Sequence, residues 1–218
     1  MENNLLQIYE TLFTHYGNLN WWPARSPYEV IVGAILTQNT NWKNVEKAIK
    51  NFENNLTPEF IANVENEELI SIIKPAGFFN QKSNYLKAVT AWFAGYDYKV
   101  AKVQKEPLNK LRAELLSVKG IGQETADSIL LYAFNYPTFV VDAYTHRLCD
   151  RFPIDAGNGY SNVKDYFENS LPKSLPKSTE IYNNYHALIV INGKENCRKK
   201  NPLCDICPLA DICMKINI

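Results

Sequence analysis

Four of the five cysteines in this chain lie within its last 22 residues and constrain how its carboxyl end can fold. They follow the spacing C-x6-C-x2-C-x5-C, at Cys197, Cys204, Cys207 and Cys213. Thiolates this close in sequence are satisfied most simply by one shared metal centre. Zinc sites usually combine two C-x2-C pairs or mix cysteine with histidine, whereas this run has a single C-x2-C. Spacing alone leaves zinc and an iron–sulfur cluster equally open.

Disulfide bonds are the competing interpretation of these cysteines. Residues 1–4 carry no basic side chain and no long apolar segment follows them, so we expect no signal peptide. A cytosolic chain keeps its thiols reduced, which favours a metal. The longest apolar stretches, such as residues 30–36, are too short to cross a bilayer. We therefore expect a cytoplasmic protein that does not enter the membrane.

The overall charge gives no sign of a nucleic-acid-binding protein, because 23 basic and 23 acidic residues balance. A local patch would be sufficient, however. Two basic segments, at residues 102–119 and 194–200, are the candidates. An ordinary solvated surface is the alternative for both.

Helical periodicity dominates the chain, and strand-like alternation is scarce. Apolar residues recur at helical spacing in six segments: residues 28–36, 45–52, 80–93, 108–118, 124–134 and 181–191. Turns rich in glycine and proline separate these segments. The sequence therefore predicts an all-α fold.

A tight Gly120-Ile121-Gly122 turn joins two of the predicted helices. Two glycines this close let the backbone approach a ligand, and the N–H groups that begin the next helix can hold a phosphate. Such contacts bind DNA without reading its sequence. An ordinary turn between helices is the alternative interpretation.

Four features, in this order, resemble the helix-hairpin-helix DNA glycosylases of the endonuclease III superfamily. They are Leu36-Thr37-Gln38-Asn39-Thr40, the hairpin at residues 118–122, Val141-Asp142 and the cysteine run. The resemblance spans nearly the whole chain. It implies that the four cysteines hold a [4Fe–4S] cluster, and it allows for a monovalent cation at the hairpin.

Within this superfamily the chain is most similar to the 3-methyladenine DNA glycosylases of the MagIII type. The similarity is carried by residues 21–23 (WWP), 36–40 (LTQNT), 77–82 (GFFNQK) and 119–122 (KGIG). The best-known member of that type lacks the cluster cysteines, which this chain keeps.

The resemblance implies a two-lobed arrangement. Residues 24–134 would form a six-helix barrel domain that carries the helix-hairpin-helix. Residues 1–23 with 135–218 would form a helical cluster domain that ends in the [4Fe–4S] loop. The active site would lie in the cleft between the two lobes.

Asp142 and Glu124 are the predicted catalytic residues. Asp142 follows an apolar run and should begin a helix, so an N-cap is its structural role. The resemblance implies that it also faces the sugar C1′, where a carboxylate stabilises developing positive charge and can orient water. Glu124 stands where bifunctional members carry a lysine that forms a Schiff base, which a carboxylate cannot do. The enzyme is therefore expected to stop at an abasic site.

Glu124 is otherwise interpreted as an acidic residue in the first turn of a helix. In its functional interpretation it lies in the base pocket and attracts a cationic, N-alkylated purine. A flipped base also needs aromatic faces to stack on. By resemblance Trp22 and Pro23 line that pocket, and Trp42 lies on its opposite face.

The remaining roles concern the DNA and the histidines. By resemblance Gln38 fills the gap that the flipped base leaves, and Phe78 is a wedge against the opposite strand. The hairpin residues Gly120, Ile121 and Gly122 are assigned to the DNA phosphates. Lys119, which directly precedes them, is assigned to the same contact and is the alternative candidate for a nucleophilic lysine. His15 and His186 are interpreted as structural, and Cys149 as a buried thiol. His146, one turn after Asp142, is either a second base or a histidine of the helix surface or core.

The predicted function is monofunctional excision of alkylated purines, such as 3-methyladenine, from damaged double-stranded DNA. The enzyme is expected to be a monomer associated with a prokaryotic nucleoid. One alternative is an endonuclease III-like glycosylase and AP lyase that acts on oxidised pyrimidines or mismatched bases. Another is a DNA-damage-binding module without turnover, against which Asp142 argues because a pure binder has no need of that carboxylate.

Overall fold

The computed structural model describes residues 4–152, 154–171, 175, 177–216 and 218. Within these residues the chain forms α-helices and no strand, which confirms the all-α prediction. The helices are α1 (Asn4–Tyr16), α2 (Pro27–Leu36), α3 (Trp42–Asn51), α4 (Pro58–Asn63), α5 (Asn66–Ile73), α6 (Phe79–Ala94), α7 (Val100–Val103), α8 (Leu108–Ser117), α9 (Gln123–Ser128), α10 (Ala143–Arg151), α11 (Gly159–Ser170) and α12 (Thr179–Glu195). All six segments with helical periodicity contain helices.

Three short elements complete the backbone. One-turn 3-10 helices lie at Lys74–Ala76 and Cys204–Ile206, and a π-helical segment, Ile129–Ala133, directly follows α9. None of the helices among the described residues combines the length and apolar character that a bilayer crossing requires. The chain divides into two compact units. We call Trp22–Asn135 the hairpin unit, and Met1–Trp21 with Tyr136–Ile218 the cysteine unit.

Helix α2 forms the centre of the hairpin unit. Its residues from Tyr28 to Leu36 are all buried, as expected for a helix that is apolar on every side. The Ser26 hydroxyl caps its start by accepting from the Glu29 N–H at 3.1 Å, and Pro27 occupies the first turn. Helix α6 and the π-helical segment pack against α2. This packing fixes where α2 ends and where the following loop begins.

The hairpin between α8 and α9 is held by two features. Gly120 has φ +87°, and a Cβ at this position would lie 2.2 Å from the Tyr85 ring, so only glycine fits. Arg112 on α8 donates two hydrogen bonds, at 2.8 and 3.1 Å, to the fully buried carboxylate of Asp127 on α9. This bidentate ion pair braces the two helices that flank the hairpin.

Helix α12 forms the centre of the cysteine unit, where α1 and α10 pack against it. The Tyr185 hydroxyl on α12 donates to the Leu5 carbonyl of α1 at 2.8 Å. The extended residues 138–141 that lead into α10 are all buried, and Phe139 among them stacks on Phe167 of α11 at 4.4 Å between ring centroids. Burial and this ring stacking hold the segment in place, so Asp142, which follows it, has little conformational freedom.

Candidate functional site

Asp142 is the N-cap of α10, as its place in the sequence predicts. Its Oδ1 accepts from the Tyr144 N–H at 2.9 Å, from the Thr145 N–H at 2.8 Å and from the Thr145 hydroxyl at 3.1 Å. All three bonds go to one oxygen. The other oxygen, Oδ2, does not take part in capping, and the side chain is only 13% exposed. The helix start therefore uses half of this carboxylate.

His186 lies next to the other oxygen of Asp142, Oδ2. Its Nε2 is 3.6 Å from Asp142 Oδ2, and the imidazole is buried on α12 with its ring edge-on to Phe139. Burial alone would raise the pKa of Asp142, but His186, followed by Thr145, stabilises the carboxylate enough to lower that pKa below its ordinary value. The interpretation of His186 as purely structural missed this contact. Its only sequence signal is a histidine within an otherwise apolar helical stretch.

Lys194 is a second residue that the sequence did not assign to Asp142. It lies on α12 two turns after His186, and its amine is 5.3 Å from the centre of the Trp21 ring. The residue as a whole is exposed, but burial of the amine lowers its pKa, against the opposing effect of the Asp142 charge. Asp142 thus has a histidine and a lysine of α12 as electrostatic neighbours.

In the hairpin unit the structure brings Gln38 to the hairpin. The Gln38 amide donates to the Gly120 carbonyl at 3.0 Å and to the Thr125 hydroxyl at 3.1 Å. The exposed tip of this loop is the next residue, Asn39, whose φ of +53° is left-handed. Gln38 must therefore release two hydrogen bonds before it can fill a gap in DNA.

Phe78 stands at the other loop tip. It is 60% exposed and has φ +47°, a backbone conformation that is rare for an aromatic residue. Strained, exposed aromatics persist where the surrounding structure imposes them, and they concentrate at functional sites. This geometry suits the predicted wedge.

Lys82 connects the two loops, a role that sequence reasoning did not predict. It is 2% exposed, and its amine donates to the Leu36 carbonyl at 2.8 Å and to the Ala76 carbonyl at 2.8 Å. The first carbonyl ends α2, two residues before Gln38, and the second ends the 3-10 turn, two residues before Phe78. Burial lowers the pKa of Lys82 to about 8.

The residues of the predicted aromatic pocket lie together in the hairpin unit. Trp22 and Trp42 touch edge to face, with 5.2 Å between ring centroids and 78° between planes. Tyr132 of the π-helical segment packs on the other side of Trp22 at 5.4 Å. These three half-buried rings form one cluster. Pro23 is exposed beside it in sequence.

The other predicted contact residues of the hairpin unit lie at its surface. Glu124, in the first turn of α9, and Lys119 are exposed, whereas Ile121 is buried beneath the turn. The basic segment at 102–119 is largely neutralised, because Lys102 pairs with Asp97, Lys110 with Glu106 at 2.8 Å, and Arg112 with Asp127. This segment is therefore not a basic patch. The exposed basic side chains of the other segment are those of Lys194, Arg198, Lys199 and Lys200.

The four C-terminal cysteines are free thiols that line one cavity. Among the described residues no three His, Cys, Asp or Glu side chains converge as the ligands of a single ion would. Burial raises the pKa of Cys207 and Cys213, and neighbouring thiols add to the effect; a shared metal cluster would relieve that repulsion. The all-thiol donor set fits an iron–sulfur cluster.

Arginines of α10 support this loop. Arg151, which is buried, donates to Cys197 Sγ at 2.9 Å, and Arg147 donates to the Cys197 carbonyl at 2.7 Å. Their sequence signal was a basic pair four residues apart on one helix. Cys149 does not line the cavity; it is buried, as predicted, and burial raises its pKa to about 12.

Comparison with known proteins gives two family matches. Residues 32–173 match the HhH-GPD superfamily base excision DNA repair proteins, and residues 197–213 match the iron–sulfur binding domain of endonuclease III. The chain is 50% identical over 216 residues to "Putative DNA repair glycosylase MJ1434" of Methanocaldococcus jannaschii, and the alignment covers 96% of each chain.

Two solved structures are similar. The H. pylori 3-methyladenine DNA glycosylase MagIII, bound to 1,N6-ethenoadenine, has a TM-score of 0.77 and 25% identity, over 88% of this chain and 97% of that one. A trapped endonuclease III–DNA covalent intermediate has a TM-score of 0.80 and 23% identity, over 99% and 97%. Because its sequence identity is only 23%, the similarity to the endonuclease III structure shows a shared fold alone.

We predict that Lys82→Met destabilises the protein by about 1–3 kcal/mol, because two buried carbonyls lose their donor. It should also weaken binding to an abasic-site duplex, since the Gln38 and Phe78 loops are no longer joined. Urea denaturation and fluorescence anisotropy measure the two effects. Lys87→Met is the matched control: this lysine of α6 also donates to two backbone carbonyls, of Ala62 and Val64, away from both loops. Equal DNA binding by the two variants would contradict the role given to Lys82.

Proposed function

Because the chain belongs to the HhH-GPD superfamily of base excision DNA repair proteins, we propose that it is a monofunctional DNA glycosylase that removes alkylated purines, 3-methyladenine among them. The observation that carries the proposal is that the two carboxylate oxygens of Asp142 have different contacts. One oxygen is held by the start of α10, and the other takes no part in the cap and has His186 at 3.6 Å. Asp142 is the catalytic residue of this proposal.

The reaction breaks the bond between the sugar C1′ and the base nitrogen. An alkylated purine carries a positive charge, so it leaves as a neutral base with the electron pair of that bond. Positive charge then develops on the sugar, where Asp142 Oδ2 stabilises it. Water adds to C1′ and gives one proton to the solvent, which leaves an abasic site and the free base. No lysine adduct is required.

The preference for alkylated purines rests on the aromatic cluster and on Glu124. An electron-poor, cationic base is attracted to indole and phenol rings, which Trp22, Trp42 and Tyr132 supply. Pro23 and the Glu124 carboxylate belong to the same proposed pocket. The similarity to MagIII, a 3-methyladenine DNA glycosylase, supports the same lesion class.

Contacts to the duplex are assigned to the two loops and to the hairpin. Gln38 fills the gap and Phe78 is the wedge. Lys119 and the hairpin at Gly120–Gly122 hold the phosphate backbone, and a monovalent cation at the hairpin is part of the same proposal. The iron–sulfur centre is proposed to be a [4Fe–4S] cluster. Such a cluster would cross-link the C-terminal loop through its four cysteines.

The deciding experiment incubates the protein with duplexes that each carry one defined lesion, followed by mild alkali to cut abasic sites. We expect release of methylated purines to exceed release of oxidised pyrimidines. Asp142→Asn should bind the same duplexes but excise at least about a hundredfold more slowly, as on loss of a transition-state electrostatic contact. Faster release of oxidised pyrimidines would instead support the endonuclease III-like alternative. Normal excision by Asp142→Asn would leave that residue as a helix cap only.

The cluster is tested by a pair of cysteine variants. Purified protein should be brown and contain roughly four irons per chain, as a [4Fe–4S] centre requires. Cys204→Ala should lose most of this iron, because it removes one thiol of the cavity, whereas Cys149→Ala should keep it. Iron analysis and visible absorption measure both. Stoichiometric zinc without iron would contradict the cluster.

AP-lyase activity is the second candidate function, and Lys194 is the observation that favours it. Partial burial lowers the pKa of its amine, although the Asp142 charge acts in the opposite direction, and a lowered pKa is a property of a nucleophilic lysine. Our first proposal predicts no trapped adduct when borohydride is added during reaction with an abasic duplex. An adduct that disappears in Lys194→Met but persists in Lys119→Met would establish the lyase and overturn the monofunctional assignment.

A further inference from the structure

The two oxygens of Asp142 have different surroundings. Oδ1 accepts three hydrogen bonds from the first turn of α10. Oδ2 has the imidazole of His186 at 3.6 Å. Because Oδ1 is occupied by the helix, the oxygen that can face a reacting sugar is Oδ2, and His186 is the buried polar group beside it.

We propose that His186 is a positioning residue for the excision reaction, which sets the direction and the charge of Asp142 Oδ2. This inference rests on the proposed function of Asp142. His186 touches neither the base nor the sugar in this proposal; it acts through the carboxylate.

The placement of the imidazole supports this role. His186 is 5% exposed, lies on the most buried face of α12 and packs edge-on against Phe139, so its ring has little room to turn. The separation of 3.6 Å is longer than a hydrogen bond but within the range of an ion pair. Contacts of this kind in free enzymes commonly tighten when the substrate binds.

Titratable side chains that interact with Asp142 lie on two helices in the described part of the cysteine unit. They are His186 and Lys194 on α12 and Tyr144 on α10. The Lys194 amine lies over Trp21, where burial lowers its pKa, and Tyr144, whose pKa is raised by burial, is neutral at neutral pH. His186 is the largest of the influences that lower the pKa of Asp142.

The lowered pKa of Asp142 determines in which direction the loss of His186 should shift the pH dependence of excision. A lowered pKa keeps Asp142 ionised at neutral pH, and excision should fail only as the pH falls through that pKa. Without His186, burial is opposed less strongly, so the pKa of Asp142 should rise. The acidic limb of the excision profile should then move to higher pH by about one unit, the size expected on losing a close hydrogen-bonding or charged neighbour.

The test measures single-turnover excision of 3-methyladenine against pH for the wild type, His186→Ala and His186→Gln. We expect a raised acidic limb in His186→Ala. His186→Gln keeps a donor of similar reach and should restore most of the wild-type profile. Tyr185→Phe is the matched control, since it removes a buried hydrogen bond from the neighbouring position of α12 without touching Asp142. It should lower stability and leave the limb in place.

A measurement without turnover separates this inference from the proposed function. A carbon-13 NMR titration of the Asp142 carboxyl should show a pKa below its ordinary value in the wild type and a higher one in His186→Ala. An unchanged pKa in His186→Ala overturns the inference, whatever the activity. A raised pKa together with no release of any lesion supports the His186 contact and overturns the proposed function.

Discussion

The hydrogen bonds that Asp142 makes to the start of α10 are the interaction on which the cysteine unit depends. They fix where α10 begins, at the end of the buried segment 138–141. Helix α10 then carries Arg147 and Arg151 to the cysteine loop, where they donate to the Cys197 carbonyl and thiol. One short helix thus joins the predicted catalytic carboxylate to the predicted cluster. A cluster that stiffens the loop would hold α10, and through it Asp142, without taking part in the chemistry.

In the hairpin unit the buried lysine Lys82 holds the backbone of two exposed loops in place. A loop tip that probes DNA must be exposed, yet it must keep its direction. Lys82 ties the backbone before Gln38 to the backbone before Phe78, and the Gln38 amide ties its loop to Gly120 and Thr125. Backbone carbonyls are suitable anchors, because they remain in place when side chains move. The left-handed conformations of Asn39 and Phe78 are held by these neighbours.

Local pattern predicted the features that depend on local sequence. Helical periodicity located the helices, the spacing of the cysteines indicated their shared cavity, and an acidic residue after an apolar run identified the cap of α10. The Lys82–Leu36 and His186–Asp142 contacts were missed, because each joins residues more than 40 positions apart and each buries a residue type that is usually exposed or only partly buried. The edge-to-face contact of Trp22 and Trp42 was also missed, since sequence does not specify how two rings are inclined.

The charge of Asp142 also bears on which base can leave. A carboxyl whose pKa is held below its ordinary value has no proton to donate at neutral pH, so Asp142 is not a general acid. A neutral base would then depart with negative charge, for which the enzyme would have to supply other donors. A base that is already cationic departs as a neutral molecule and needs only its sugar to be stabilised. If the chain acts as proposed, the electrostatics that keep Asp142 ionised would therefore favour alkylated purines over neutral lesions, independently of the aromatic cluster.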